Sequence, residues 1–250
     1  MLLAVQLQPH NLIRFIGGVL LCLSSGVLVS ALVRAPQLGL SATNADFLAF
    51  VSGTVALHGG TFVMAALLLQ GDGVRWKDFL GFEQPRWRRH LILGLTVGLA
   101  SVPLLLVLNK LSYLGLKAIG AEPEQQVTVQ ILQGLGGWLR RACFGFSAIV
   151  LAPVAEEILF RGVLYPALRQ RGHPQIALIA SSLLFALIHI NAMTFAPLFL
   201  FAVILAWLVE KTDGLIASIA AHVVFNAVNF VLLINEERLA QFLERLGERI

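Results

Sequence analysis

Ionisable side chains interrupt one of the most apolar stretches of this sequence, at residues 155–161, which read AEEILFR. Glu157 and Arg161 are four residues apart with the glutamate first, the favourable orientation for an ion pair on one face of a helix. Glu156 points about 100° away from Glu157 and has no cation three or four residues away. The spacing therefore predicts an ion pair for Glu157, whereas Glu156 must meet a group on another element.

Two later apolar segments carry polar side chains at helical spacing. In FALIH, His189 follows Phe185 by four residues, and in HVVFN, Asn226 follows His222 by four residues. Counted at about 1.5 Å per residue from the nearest charged loops, Glu156, His189 and Asn226 all lie roughly 20 Å along their helices. His222 lies one turn shallower. We expect the four polar side chains to converge in one cavity.

This set of side chains can hydrolyse a peptide bond without a covalent intermediate. Glu156 would take a proton from water, and His189 would position or polarise that water. His222 and Asn226 would offer N–H donors to the oxyanion formed from the peptide carbonyl. The residue types and their spacing therefore predict general-base hydrolysis of a peptide.

The elements that must position these residues are membrane helices. The chain of 250 residues is 58% hydrophobic and 13% charged, with a mean hydropathy of +0.82, which excludes an ordinary soluble globular domain. An ionisable group in the hydrocarbon core costs roughly 2.5–3.5 kcal/mol, so it normally faces the protein interior or a wet cavity. The net charge is +4, and the cations lie mostly between the apolar runs, as in loops that flank membrane helices.

The apolar runs predict an all-α integral membrane protein, a polytopic bundle of about seven transmembrane helices, within a range of six to eight. We divide the chain into N-terminal transmembrane helices and loops at 1–141, a catalytic helical core at 142–234 and a charged C-terminal tail at 235–250. The apolar runs are Leu12–Val33, Phe47–Leu69, Leu91–Leu111, Ala142–Leu164, Ile176–Ile190, Phe195–Val209 and Leu215–Ile234.

The longer gaps between these runs bear on topology. Gly71–His90 mixes aromatic and cationic residues, which is typical of a segment at the headgroup level, and we predict that it is cytoplasmic. Alternation then places the N-terminus and the loops around Arg171 and Lys211 on the same side. The gap Lys117–Arg141 predicts an amphipathic surface helix, but its two terminal arginines then lie outside, against the positive-inside rule. We expect a bacterial-type plasma membrane, with the active site opening toward the cytoplasm.

Three motifs resemble those of the CPBP family in order and approximate spacing. They are EExxxR at Glu156–Arg161, FxxxH at Phe185–His189 and HxxxN at His222–Asn226. The family comprises the type II CAAX prenyl endopeptidases and the bacterial membrane proteins called Abi or bacteriocin-processing proteins, and the resemblance covers roughly Ala142–Leu233. It implies an intramembrane, glutamate-dependent endopeptidase that works in the lipid bilayer on a peptide or protein substrate, prenylated or membrane-inserted, and not on nucleic acid.

The resemblance also implies roles for individual residues. Glu156 and His189 activate the water, and His222 with Asn226 stabilises the oxyanion. The residues that support the site are Glu157, Arg161 and Phe185. The family is often labelled metalloprotease, but the favoured mechanism requires no cofactor. A divalent metal such as zinc, if one binds, would be held by Glu156, His189 and His222.

Residue types exclude some other functions and leave others open. The chain has no HExxH motif and no aspartate in an apolar run, which excludes a zinc protease of that type and an intramembrane aspartyl pair. A non-enzymatic immunity or binding protein on the same fold is the alternative, followed by a proton-coupled transporter. His58, in TVALHGGTF, has no comparable partner set and is interpreted as a satisfied interior histidine. Gly94 and Gly98 form a GxxxG pair that predicts close helix packing.

Overall fold

Long apolar helices make up most of the computed structural model, which describes residues 2–4, 7–236 and 238. In lipid a segment must satisfy its backbone hydrogen bonds internally, so apolar runs of this length fold as helices. No strand occurs in the part of the chain that is described. The helices are α1 Pro9–Val33, α2 Ala42–Gly71, α3 Trp76–Leu80, α4 Trp87–Ala118, α5 Val127–Gly134, α6 Trp138–Arg169, α7 Pro174–Leu187, α8 Ala192–Thr212 and α9 Ile216–Ile234.

Six of these helices are long and apolar enough to cross a bilayer, namely α1, α2, α4, α6, α8 and α9. The remaining apolar run is α7, whose 14 residues extend about 21 Å and pack against α8. The chain is therefore a polytopic, all-helical integral membrane protein, as the sequence predicts. The catalytic core expected at 142–234 corresponds to α6 through α9. Most of the predicted tail, 235–250, lies outside the described residues.

Hydrogen bonds show which loops meet at each end of the bundle. At one end, here called the Asp213 end, Leu3 N donates to Asp213 Oδ1 at 2.8 Å, and Gln84 Nε2 donates to the backbone O of Asp213 at 2.6 Å. At the other, the Asn191 end, Asn191 Nδ2 donates to the backbone O of Glu124 at 2.9 Å. The N-terminal segment, the loop between α2 and α4 and the loop after α8 therefore share one end, as alternation predicts.

Both long loops contain a short helix. In the first loop, Phe79 of α3 is buried against α6, where a Cβ added at Gly162 would lie 2.5 Å from Phe79 Cζ. Trp76 and Phe82 of the same loop are exposed. In the second loop, α5 occupies part of the segment for which the sequence predicts an amphipathic helix. The position of either loop relative to a membrane surface stays a prediction.

The GxxxG pair of α4 lets α9 approach closely. A Cβ added at Gly94 would lie 2.2 Å from the backbone O of Ala217, and one added at Gly98 would lie 2.5 Å from the backbone O of Ala221. The packing role predicted for these glycines is therefore confirmed. Because His222 directly follows Ala221, this contact sets the depth and rotation at which α9 presents His222 to α6.

Replacing Gly98 by alanine is expected to destabilise the bundle by about 1–3 kcal/mol, since overpacking forces neighbouring backbone to shift. The new Cβ would meet Val224 Cγ1 at 2.4 Å as well as the backbone of Ala221. Denaturant titration of the purified protein in detergent measures the loss. Gly115→Ala in the same helix is the control, because nothing lies within 4 Å of a Cβ there. Equal stability of the two variants would contradict the close α4–α9 contact.

Candidate active site

Glu157 and Arg161 form the ion pair that their spacing predicts. Arg161 Nη1 lies 2.9 Å from Glu157 Oε1, and the two side chains are 1% and 0% exposed. The same guanidinium donates through Nη2 to the backbone O of Ala202 in α8 at 3.0 Å. It also lies over the ring of Phe185 in α7, 4.6 Å from the ring centroid. Arg161 therefore connects α6 to two neighbouring helices, and the pair is buried between them.

His222 extends this pair toward Glu156. Its Nδ1 lies 3.0 Å from Glu157 Oε1, and because an ionised carboxylate only accepts hydrogen bonds, Nδ1 carries a hydrogen. The other ring nitrogen, Nε2, is then the one that faces Glu156, 3.7 Å from its Oε2. One imidazole therefore contacts both glutamates, with Arg161 bound to the buried one.

Glu156 is the more accessible of the two carboxylates. Its side chain is 19% exposed, whereas that of Glu157 is fully buried. The prediction that Glu156 meets a group on another element is confirmed by its contact with His222 of α9. The count along the helices placed His222 one turn shallower, a difference that the glutamate side chain spans. Glu156 is thus the carboxylate within reach of a bound molecule.

His189 lies just after α7 and joins the cluster through Phe185. Its Nδ1 is 2.7 Å from the backbone O of Phe185, and since a carbonyl only accepts, Nδ1 carries the hydrogen and the neutral ring has its lone pair on Nε2. The ring centroids of Phe185 and His189 are 4.8 Å apart, and those of Phe185 and His222 are 5.8 Å apart. The buried Phe185 ring therefore contacts both histidines, while a direct approach of His189 to Glu156 stays a prediction.

Asn226 is bound to α6 through a gap in the helical hydrogen bonds. Two π-helical segments, Ser147–Leu151 and Ile158–Leu164, flank the stretch of α6 that carries the glutamates. In the first segment the Ala152 N–H bonds to the O of Ser147, and Pro153 has no N–H. The O of Ala148 is thus left for a side chain, and Asn226 Nδ2 donates to it at 2.8 Å.

This bond ties the Asn226 amide to a carbonyl that precedes Glu156 in α6. Helix carbonyls point toward the C-terminus and side chains lean toward the N-terminus, so the Ala148 carbonyl and the Glu156 side chain point toward each other along α6. The π-helical segment makes the bond possible, because it frees a carbonyl that a regular helix would use. A common depth for this amide and the Glu156 carboxylate stays a prediction. The amide nitrogen keeps a second hydrogen that it can donate.

A comparison with known protein families covers this part of the chain. Residues 138–228 match the family model described as Type II CAAX prenyl endopeptidase Rce1-like. These residues form an Rce1-like domain. Neither the search of curated proteins nor that of the solved structures gave a match. At the level of the family, the match supports a CAAX-type intramembrane protease and implies an endopeptidase, consistent with the CPBP resemblance.

The Rce1-like domain begins with α6 and ends within α9. It therefore contains every residue to which the sequence assigned a catalytic or supporting role. Those in mutual contact are Glu156, Glu157, Arg161, Phe185 and His222. Within the domain, His189 joins this group through Phe185, and Asn226 binds the same helix as the glutamates at another turn.

One histidine near the glutamates lies outside the Rce1-like domain. His58 belongs to a π-helical segment of α2, Val55–Gly59, which packs against the Ala152–Glu157 stretch of α6. Its Nδ1 is buried and has no hydrogen-bond partner among the described residues, and Glu156 lies close enough for its charge to act on the ring. The interpretation of His58 as a satisfied interior histidine is therefore wrong. The sequence feature that pointed to His58 was a histidine within an apolar run. That feature alone does not indicate which group the imidazole meets.

The three residues that the sequence suggests as metal ligands, Glu156, His189 and His222, do not form one cluster within the Rce1-like domain. In residues 2–4, 7–236 and 238, no three His, Cys, Asp or Glu side chains lie close enough together to hold a metal ion. Glu156 and His222 are neighbours, but His189 is linked to His222 through the Phe185 ring. This arrangement does not fit a bound metal ion, and we derive no step through one.

Proposed function

We propose that this chain is an intramembrane endopeptidase in which Glu156 acts as general base on a water molecule. The observation that carries the proposal is the position of the Glu156 carboxylate, 3.7 Å from the Nε2 of His222, whose Nδ1 is bound to buried Glu157. A carboxylate bound to Nδ1 orients an imidazole and stabilises its protonated form, as in a catalytic triad. A partly exposed carboxylate beside an oriented imidazole suits general-base hydrolysis.

The proposed reaction begins when Glu156 takes a proton from water and the water oxygen attacks the carbonyl carbon of the peptide bond. His189 accepts a hydrogen bond from this water at Nε2 and positions it. The oxyanion that forms receives hydrogen bonds from the Nε2–H of protonated His222 and from the second amide hydrogen of Asn226. Glu156 then passes its proton to the leaving nitrogen as the C–N bond breaks, so no covalent intermediate forms.

Charge balance supports a protonated His222 in this mechanism. Glu156 and Glu157 carry two negative charges at close range, and Arg161 supplies one positive charge. An imidazolium at His222 brings the net charge of the cluster to zero, which lowers the cost of holding charged groups inside the membrane. Glu157 and Arg161 therefore act through His222, and Phe185 packs against both histidines to hold their rings.

Proteolysis in reconstituted liposomes tests this function. The chain is presented with a farnesylated CAAX peptide, the same peptide without the prenyl group, and a panel of transmembrane peptides. We expect a prenylated or membrane-inserted peptide to be cut, because Glu156 lies within the span of a membrane helix. Cleavage of the farnesylated peptide alone would assign the CAAX activity. Cleavage of none would favour the non-enzymatic binding or immunity function.

Addition of a chelator to the same assay is expected to leave cleavage unchanged, because the proposed mechanism uses side chains and water only. The rate of product formation with and without chelator is the measurement, and a peptide hydrolysed by a known zinc protease serves as the control for effective chelation. Loss of cleavage that returns on addition of Zn²⁺ would contradict the mechanism. It would indicate an ion held by Glu156, His189 and His222.

The orientation of the site in the membrane is a separate part of the proposal. Along α6 toward the Asp213 end, Glu156 is followed by Arg161 and Tyr165, which are buried. We infer that the carboxylate is approached from the Asn191 end or from the bilayer. A site that opens to the cytoplasm of a bacterial-type plasma membrane then requires a cytoplasmic Asn191 end. The cationic loop at 71–90 favours the Asp213 end on that side, so these two expectations exclude each other.

Cysteine labelling distinguishes the two orientations. Glu83→Cys marks the exposed loop near the Asp213 end, and Glu122→Cys marks the loop at the Asn191 end, in a chain whose Cys22 and Cys143 are replaced by alanine. Because positive charge in short loops sets topology, we expect a membrane-impermeant maleimide to label Glu122→Cys in intact cells, but to label Glu83→Cys only after lysis. The reverse pattern would support a site that opens to the cytoplasm.

A further inference from the structure

His58 is an imidazole that the proposed mechanism does not use, although it lies beside the helix that carries Glu156. The two helices are joined near this point, since Thr54 Oγ1 and Ser147 Oγ lie 3.4 Å apart. His58 is four residues after Thr54, and its π-helical segment packs against the Ala152–Glu157 stretch of α6. Glu156 lies close enough to this imidazole for its charge to act on the ring.

The hydrogen bonding of His58 is incomplete in the substrate-free chain. Nδ1 is buried and has no partner among the described residues. A buried polar atom without a hydrogen bond is destabilising, and most such atoms in native proteins are paired with protein or water. An apolar residue would avoid this cost in a membrane helix. An unpaired imidazole nitrogen next to a partly exposed carboxylate is therefore placed to bind a third group that arrives at the site.

The local backbone also favours this position. His58 lies inside the π-helical segment and is followed by Gly59 and Gly60. A Cβ added at Gly60 would lie 2.6 Å from the Cβ of Cys22 in α1, so the absence of a side chain there allows α1 and α2 to pack closely. π-helical segments frequently occur at functional sites. The segments on α2 and α6 thus bring two helices from different parts of the chain together beside Glu156.

We propose that His58 is a positioning residue of the site, whose Nδ1–H donates a hydrogen bond to the water that Glu156 activates, or to Glu156 itself when substrate is bound. This inference rests on the proposed function and extends the site beyond residues 138–228 to the second membrane span. His58 would position the water and the Glu156 carboxylate from α2, while His222 contacts the same carboxylate from α9. The N-terminal helices then complete the site as well as enclosing it.

Two substitutions of His58 test this role in the full chain, reconstituted in liposomes. His58→Leu removes the imidazole, whereas His58→Asn places an amide near the position of Nδ1. We expect kcat to fall by up to about 10²-fold in His58→Leu, with KM little changed, since misplacing a reacting group acts on the chemical step. His58→Asn should recover part of this loss. His90→Leu, near the Asp213 end, is the matched control and should retain wild-type kcat.

Thermal unfolding in detergent separates positioning from a structural role. Because His58→Leu removes an unpaired buried atom, its Tm should equal or exceed that of the wild type. A lower Tm together with proportional loss of activity in both His58 variants would overturn the proposal in favour of a structural role. A kcat of His58→Leu within about twofold of wild type would also overturn it, because a group that positions the reaction must affect the transition state.

A second measurement keeps the inference testable if the wild-type protein cuts no peptide. His58→Leu, Glu156→Gln and the double variant are compared by their shifts in Tm. Residues that interact give non-additive shifts, whereas independent residues give additive ones. Non-additive shifts would support an energetic coupling between His58 and Glu156 even if the proteolytic function itself failed. Additive shifts would overturn the coupling whatever the activity.

Discussion

Replacement of Glu156 by glutamine is expected to reduce peptide hydrolysis by about 10²–10⁴-fold, the contribution typical of a positioned general base. Glutamine has nearly the same shape but cannot take a proton from water. The fold should be retained, because Glu156 is the partly exposed glutamate and its nearest ionic partner is 3.7 Å away. The measurement is the initial rate of cleavage in liposomes, together with the Tm of the purified variant.

Glu83→Gln is the matched control for this experiment. The same chemical change is made at an exposed loop glutamate near the Asp213 end, and we expect wild-type activity there. Glu156→Gln with activity within about tenfold of wild type would contradict a general-base role. If the chain acts instead as an immunity or binding protein, capture of its partner should survive the substitution, so loss of cleavage with retained binding separates the two classes of function.

The sequence predicts the parts of this site that depend on spacing within one helix. The ion pair between Glu157 and Arg161 follows from their separation by four residues. The fold class follows from the apolar runs, because in lipid the backbone N–H and C=O groups must find their hydrogen-bond partners within the protein. The close contact of α4 with α9 follows from Gly94 and Gly98. In each case the relevant neighbour is fixed by local geometry or by the absence of a side chain.

The contacts between helices could not be derived in the same way. The bond from His222 to Glu157 depends on the rotation of α9 about its axis, which is set by its packing against α4. The anchoring of Asn226 depends on a π-helical segment that shifts the phase of α6 and frees a carbonyl. A count at constant rise per residue assumes a regular helix, so it could not predict this bond.

Two prolines in the sequence mark the two π-helical segments of α6. The Ala152 N–H bonds five residues back, to the O of Ser147, and Pro153 follows. The Tyr165 N–H likewise bonds to the O of Phe160, and Pro166 follows. A proline has no N–H for the next helical bond, so in each case one carbonyl of α6 loses a backbone donor. Proline within a long apolar run near ionisable residues is therefore a sequence feature that indicates an irregular helix at the site.

Replacement of Arg161 by methionine is expected to destabilise the protein by about 3–5 kcal/mol, because it removes one partner of a buried ion pair and leaves the cluster of Glu156, Glu157 and His222 with an excess negative charge. The effect should be large because both side chains are at most 1% exposed, so water cannot replace the lost partner. Activity should fall as well, since Glu157 also orients His222 through Nδ1. Denaturant titration in detergent gives the change in stability, and the liposome assay gives the change in rate.

A control and a double variant separate the two consequences of losing this pair. Arg169→Met, in the same helix as Arg161, breaks a partly exposed pair with Glu210 of α8 and should cost no more than about 1 kcal/mol. Replacing both Glu157 and Arg161 by methionine removes both buried charges, so stability should recover, as it does when a buried pair is exchanged for apolar side chains. Activity should stay low in this double variant, because the Nδ1 of His222 then has no carboxylate to orient the ring and stabilise its positive charge. A double variant that regains both stability and activity would show that Glu157 only pairs with Arg161 and does not act on the reaction through His222.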